Sequence, residues 1–324
     1  MNYSDIHNKV RLWYKRYGRE TLPWRQTDDP YVIYISEMML QQTQVKTVLE
    51  RFFFPFLERF PTLQSIKEAS LDDLLHAWQG LGYYRRARYI YDCAQIAAPK
   101  LPTDPKELVK LPGIGKSTAH AIAAFSTHQP VAILDANVKR ILYRFFAKQK
   151  ATEKELWQMA EELLDREEPY IYNQAMMDIG AMVCLPKAPK CELCPLSSHC
   201  MGRENPLAYP QKKERKKRPI KQKKIAVVQC NNKLLMRKRQ TELLGGLWEF
   251  PEVEELQLPV DKPCCTITHT YTHFKLEAEL FYIKVDQCSG IKEGEWIDIA
   301  SFSEIATSSL EKKIIKQLFQ TDTN

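Results

Sequence analysis

Residues 111–144 read LPGIGKSTAHAIAAFSTHQPVAILDANVKRILYR. Two devices lie about twenty residues apart in this stretch. Pro112-Gly113-Ile114-Gly115 is a glycine hairpin that runs straight into a helical pattern from Lys116 to Phe125. Glycine tolerates positive φ and lets another backbone come close. Amides at such a helix start face outward and favour an anion, and a nucleic-acid phosphate is the obvious guest. A plain helix–helix turn has the same spacing, because short glycine motifs recur widely. The second device is Asp135, where the apolar run Val131–Leu134 gives way to a new helix. Aspartate in that place is a common N-cap, and a cap also holds its carboxylate at amides that favour the ionised form. A phosphate grip with a carboxylate nearby points to chemistry on a nucleic acid.

Around this centre the composition sets bounds. The 324 residues are enough for two domains, and 44% are apolar. No run of eighteen apolar residues occurs, which argues against a membrane span. The polar, charged start MNYSDIHNKVRLWYKR does not read as a secretory leader, so a cytoplasmic location is expected. The nine cysteines then read as thiols or metal ligands rather than disulfides. The net charge of +7 is unevenly spread. Residues 210–224, PQKKERKKRPIKQKK, carry nine basic side chains and one acidic, whereas 225–324 carry 11 basic and 15 acidic. The basic run lacks apolar periodicity and reads as an interdomain linker, either a solvated tether or a strap along a phosphate backbone.

Residues 1–209 show helical periodicity over 7–17, 31–60 with an interruption at Pro55, 71–79, 84–98, 117–125, 137–147 and 153–164. From 225 the pattern changes to strands at 225–230, 234–237, 265–269, 274–285 and 295–297, with a closing helix at 308–320. An all-α domain followed by a smaller α+β domain is predicted.

Cys184, Cys191, Cys194 and Cys200 have the spacing C-x6-C-x2-C-x5-C. Four thiolates so close together suit one tetrahedral or cubane metal centre, and zinc is the default from the ligands alone. Cys93, Cys230, Cys264, Cys265 and Cys288 read as ordinary thiols.

The stretches LPWR (22–25), SEMMLQQTQV (36–45), GLGYYRRAR (80–88), LPGIGKSTA (111–119), LDANVKR (134–140) and the four-cysteine loop (184–200) carry a resemblance. Across nearly its whole length the chain resembles the helix-hairpin-helix DNA glycosylases and, among them, the MutY family of adenine DNA glycosylases. The resemblance implies a helical glycosylase domain (1–209), a basic linker (210–224) and a MutT/Nudix-like 8-oxoguanine recognition domain (225–324). It replaces zinc by a 4Fe-4S cluster on the four cysteines. It implies a monomer acting on double-stranded DNA, removing adenine opposite 8-oxoguanine or guanine to start base-excision repair.

The resemblance also assigns roles. Glu37, whose neighbours at three and four residues are Ile33, Tyr34, Leu40 and Gln41, becomes the general acid for adenine N7; apolar surroundings raise a carboxyl's pKa as that role needs. Asp135 stabilises the sugar cation, in the two-carboxylate logic of glycosidases. Asn137 and Arg25 match active-site positions, and Gln42 and Tyr83 match residues that wedge into the duplex when the nucleotide is flipped out. Gly113, Gly115, Lys116 and Ser117 belong to the DNA-gripping hairpin. The related endonuclease III has its Schiff-base lysine where Ser117 stands here. Lys116 is one residue early, about 100° round the helix, which predicts a monofunctional glycosylase with weak or no lyase action. LLGGLWEFP (243–251) resembles the MutT-like domain, but ELQLPVDKPCC follows where a Nudix hydrolase has its acidic helix, so binding rather than hydrolysis is expected. In HTYTHF (269–274), Tyr271-Thr272-His273 occupies the place of a family Phe-Ser-His, making Thr272 and His273 readers of 8-oxoguanine; a strand histidine with a backbone partner is the plainer reading of His273. The competing functions are an endonuclease III-like glycosylase/lyase for oxidised pyrimidines and a DNA-binding iron-sulfur sensor without catalysis.

Overall fold

The computed structural model describes residues 3–211, 218–241, 244–256, 262–289, 291 and 293–319. The chain divides into two compact units: Met1–Gln42 with Thr62–Gln64 and Asp92–Glu214, and Thr43–Pro61 with Ser65–Tyr91 and Arg215–Asn324.

The first unit is helical. Its main helices are Ser4–Tyr17, Pro30–Leu40, Lys116–Ser126, Ala136–Phe145, Glu153–Leu163 and Pro169–Met182. The sequence sets their starts. Asp29 caps the helix that Pro30 opens, accepting from the Tyr31 amide at 2.8 Å. Thr152 and Glu155 form a capping box. Ala119, Ala121, Ala123 and Ala124 are wholly buried; these small side chains let the hairpin's helix pack closely against Pro30–Leu40. Val138, Ile141, Leu142, Leu156, Leu163, Tyr172, Met176 and Ile179 form the core under Ala136–Phe145.

The second unit joins helical residues to a six-stranded mixed sheet. Its strands are β1 (Ile220–Cys230), β2 (Lys233–Lys238), β3 (Trp248–Glu249), β4 (Cys265–Thr270), β5 (Lys275–Val285) and β6 (Glu295–Asp298), in the order β3-β2-β1-β5-β4 with β6 also on β2. β1 and β5 run parallel from Ile220↔Lys275 to Cys230↔Val285; every other pairing is antiparallel. The helix Ser309–Phe319 buries Leu310 and Ile314 on one face of the sheet. Trp78 is fully buried, meets Phe56 edge-on at 5.8 Å, and donates from Nε1 to the Gly82 carbonyl at 3.1 Å.

Several expectations need correction. Residues 220–224 of the expected linker are the first half of β1, because their backbones pair with β5; residues 212–217 lie outside the described residues. The division between units does not follow that linker alone, since 43–61 and 65–91 fall with the sheet. There Lys238 pairs with Asp72 at 2.6 Å and the Tyr84 hydroxyl donates to Thr307 O at 3.4 Å. The interruption expected at Pro55 falls at Phe52, between the helices Val45–Arg51 and Phe53–Arg59, which leaves Pro55 in a first turn where a missing N–H costs no intrahelical bond; a second break lies at 41–44, with Gln42 at φ +57°. Cys230 and Cys288 form a disulfide rather than two free thiols. The short Pro105–Leu108 and the long Pro169–Met182 helices escaped the sequence reading. Residues 257–261, part of the displaced Nudix segment, are outside the described residues. Among the described residues no helix is long and apolar enough to cross a membrane.

Trp78→Ala should cost about 3–5 kcal/mol in urea unfolding. Trp78→Phe keeps an aromatic ring but loses part of the indole volume and one hydrogen bond, and should cost less than Trp78→Ala but more than the roughly 1 kcal/mol of the hydrogen bond alone.

Candidate active site

The hairpin lies between Pro105–Leu108 and Lys116–Ser126. Gly113 has φ +73°, which only glycine adopts without strain. Gly115 is different: it is exposed, sits at φ −80°, and a Cβ there would meet nothing. Its backbone does not demand glycine; what the missing side chain leaves is open space at the helix N-terminus. Lys116 lays its Nζ 4.0 Å from the Trp157 ring centre, so it points along its own surface. Ser117 Oγ accepts from the Leu134 amide at 3.3 Å, next to Asp135. The helix position whose side chain meets the backbone just before Asp135 therefore carries a hydroxyl and not an amine.

Asp135 is the N-cap of Ala136–Phe145, accepting from the Val138 amide at 2.7 Å. Its other oxygen accepts from Asn137 Nδ2 at 3.0 Å. Asn137 in turn accepts from Arg140 Nη2 at 2.9 Å, and the same nitrogen donates to Gly180 O at 2.6 Å. Gly180 is needed for this approach, since a Cβ on it would lie 2.4 Å from the Asn137 Cβ. The cap was expected to favour the ionised form. Burial instead raises the Asp135 carboxyl above its ordinary value, while the Val138 and Asn137 hydrogen bonds and the Arg140 charge pull it down.

Glu37 stands on Pro30–Leu40 and is raised from 4.5 to about 7, first by burial and then by the charge of Asp135; Arg25 opposes the shift. The first unit thus brings Glu37, Asp135, Asn137 and Arg25 into one electrostatic neighbourhood.

Arg25 is 8% exposed and not solvated. It forks onto Asp178, Nη1 to Oδ2 at 2.8 Å and Nη2 to Oδ1 at 2.9 Å. Arg19 binds the same carboxylate from Nε at 2.8 Å and from its own amide at 2.9 Å. Burial pushes Asp178 upward, but the two arginines win and hold it below the usual carboxylate range. Asp178 was missed because its helix is apolar on nearly every side; an acid in such a pattern, MMDIGAM at 176–182, was the available signal.

Cys184, Cys191, Cys194 and Cys200 line one small cavity with Arg144, which is 3% exposed. Arg144 Nη1 donates to Cys184 Sγ at 3.3 Å and to Leu185 O at 2.7 Å. Burial raises the Cys191 and Cys200 thiols and drives Cys194 to about 12.

In the second unit Tyr83, at φ +50° and 42% exposed, places its hydroxyl 3.4 Å from Thr272 Oγ1. Thr272 and the exposed His273 form the tip of the β4–β5 turn. They line a cavity of about 360 Å³ with His269, Tyr271, Ser308, Ser309 and Lys312. Gln42 is exposed directly after the Pro30–Leu40 helix.

Residues 35–166 match the family described as HhH-GPD superfamily base excision DNA repair protein, and 224–317 match the NUDIX domain. An adenine DNA glycosylase of Buchnera aphidicola is 36% identical across 94% of this chain and 96% of its own length. The chain belongs to the adenine DNA glycosylase family. The human adenine DNA glycosylase is 28% identical over 97% of this chain and 74% of its own. A solved thermostable thymine-DNA glycosylase is 28% identical with a TM-score of 0.57, covering 61% of this chain and 94% of that one. For a chain of this adenine DNA glycosylase family, Glu37 and Asp135 stand on the matched base-excision region and the Tyr83–Thr272 pair involves the matched NUDIX region.

Asp178→Asn leaves two guanidinium groups against one neutral amide and should destabilise the first unit by about 3–5 kcal/mol in thermal or urea unfolding. Gly180→Ala should cut turnover at least tenfold by displacing Asn137, with a smaller loss of stability.

Proposed function

We propose that this protein flips adenine out of duplex DNA and hydrolyses its N-glycosidic bond where the partner base is 8-oxoguanine or guanine. The observation that carries the reading is the Glu37–Asp135 pair: one buried carboxyl with a pKa of about 7 beside a second carboxyl held by an amide, an asparagine and an arginine. Glu37 gives its proton to adenine N7. The bond from the sugar carbon to N9 then breaks, and its electron pair leaves with the base. Asp135 faces the developing sugar cation as a carboxylate, and Asn137 holds it in place. Water adds to the sugar carbon and gives up its proton to Asp135. Arg25, clamped by Asp178, adds positive charge near the pair and restrains the rise in Glu37's pKa.

Gly113, Gly115, Lys116 and Ser117 present the phosphate grip, whose outward amides suit a backbone oxygen. Gln42 and Tyr83 enter the duplex when the base leaves it. Thr272 and His273 read the opposite base. Lys116 lies on Trp157 and Ser117 stands beside Leu134, so no amine attacks the sugar and the enzyme is a glycosylase without lyase action. It works as a monomer on DNA in the cytoplasm.

The four cysteines ring one cavity with the buried Arg144, and in line with the resemblance they would hold a 4Fe-4S cluster there. Such a cluster would brace the loop after Pro169–Met182, and Arg144, which donates to Cys184 Sγ, would offset its negative charge.

Single-turnover cleavage of a duplex with adenine opposite 8-oxoguanine tests the reading. Glu37→Gln should lower the rate constant at least about 10²-fold. In the wild type it should fall about tenfold per pH unit above about 7, where the acid loses its proton. Undiminished cleavage by Glu37→Gln, or a flat profile from pH 6 to 9, would reject the assignment.

A further inference from the structure

Tyr83 ends a run of left-handed backbone: Gly80 has φ +97°, Gly82 +78° and Tyr83 itself +50°. Glycine takes that conformation freely, but a tyrosine does not, and something must hold it there. Tyr83 is also 42% exposed. The peptide between Gly82 and Tyr83 is planar, so a grip on Gly82 O fixes the Tyr83 amide as well. Trp78 Nε1 donates to that oxygen at 3.1 Å, and Arg86 Nη2 donates to it at 3.0 Å.

Arg86 does more than Trp78. It stands in the first turn of the helix Arg85–Ala97, and its amide donates to Tyr83 O at 2.9 Å. The nitrogen that grips Gly82 O also donates to Thr43 Oγ1 at 3.3 Å, and Leu81 O lies 3.5 Å from it. The guanidinium carbon is 5.3 Å from the centre of the Trp78 ring and 5.5 Å from that of Tyr83. Only 5% of Arg86 is exposed. Burial lowers the guanidinium to about 10, so it remains a cation and a donor at neutral pH.

Thr43 directly follows Gln42, which is itself left-handed at φ +57°. One buried nitrogen thus joins the peptide before Tyr83 to the residue after Gln42. These are the two side chains read above as entering the duplex. Unstacking a nucleotide costs energy, and the entering group must bear that load without giving way. A Tyr83 turn without its anchors would relax toward the ordinary right-handed region instead.

We propose that Arg86 is a positioning residue for extrusion of the adenine nucleotide: from one guanidinium nitrogen it fixes the Gly82–Tyr83 peptide and ties Thr43 to it, so that Tyr83 meets the duplex as a stiff wedge. The proposal rests on the reading of Gln42 and Tyr83 given above. Arg86 is buried and touches no reacting atom. A lysine in its place keeps a charge, but a single ammonium lacks the planar fork that spans a carbonyl and a hydroxyl at once.

The experiment uses the full chain and two duplexes. One has adenine opposite 8-oxoguanine with 2-aminopurine beside the adenine, whose fluorescence rises as the stack opens. The other has an abasic site in place of the adenine, so that no base needs extruding. The rate of the fluorescence rise and the affinity for the abasic duplex are measured for the wild type, Arg86→Lys, Thr43→Val, their double variant and Tyr83→Ala. Arg86→Lys should slow the rise about tenfold, the scale of a lost hydrogen bond from a charged donor, and weaken abasic binding much less. Thr43→Val removes only the tie to Thr43 and should slow the rise about threefold. The double variant should be no slower than Arg86→Lys, because both cut one linkage. Should Arg86→Lys fail to fold, Thr43→Val decides alone. A wild-type rate in either folded variant, or an equal loss on the abasic duplex, would overturn the proposal while leaving the wedge reading intact. A wild-type rate in Tyr83→Ala would remove that reading and the proposal with it.

Discussion

Two carboxyl groups of like charge share one enclosed neighbourhood, and they cannot both ionise cheaply. Burial makes each charge costly, and each charge makes the other costlier. The protein resolves the conflict by unequal support. Asp135 receives an amide, an asparagine and the charge of Arg140, whereas Glu37 has only the charge of Arg25 against the burial and the Asp135 charge that raise it. The proton therefore settles on Glu37. Much of the first unit serves this inequality. The cap geometry fixes Asp135, Gly180 admits Asn137, and the Arg25–Asp178 fork keeps one cation buried yet neutralised.

The second unit applies the same principle to recognition. Tyr83 is held in an unfavourable backbone conformation by two donors to Gly82, and the Thr272 turn is closed by the Tyr271 amide donating to Phe274 O and by the Tyr271 ring packed against His269 and Phe274. Both walls are ordered before any ligand arrives. Ordering costs are then met in folding rather than in binding, so that small differences in the bound base can decide affinity.

How much of this was legible in the chain depends on how local each signal is. Asp135 was visible because caps are read from an aspartate before an apolar helical pattern, and the hairpin because Gly113 needs positive φ. Glu37 as an acid rested on its apolar neighbours at helical spacing. Asp178 was not found: the Pro169–Met182 helix is buried nearly all round, so no polar face marks its period. Arg25 was placed in the site by resemblance alone, and its burial was not legible because its partner lies 153 residues away. The linker was overextended, because the charged residues 221, 223 and 224 mask a strand whose only reason to form is pairing with β5. The Cys230–Cys288 bond joins the end of β1 to the bend after β5, which only the fold brings together.

The central claim is that Glu37 holds its proton near neutrality because it is buried and has Asp135 as its neighbour. The direct measurement is a carbon-13 NMR titration of the Glu37 carboxyl in the free protein, assigned with Glu37→Gln and repeated in Asp135→Asn. A midpoint near 7 that moves down in Asp135→Asn is the predicted result. A midpoint near the ordinary 4.5, or one indifferent to Asp135, would contradict the account.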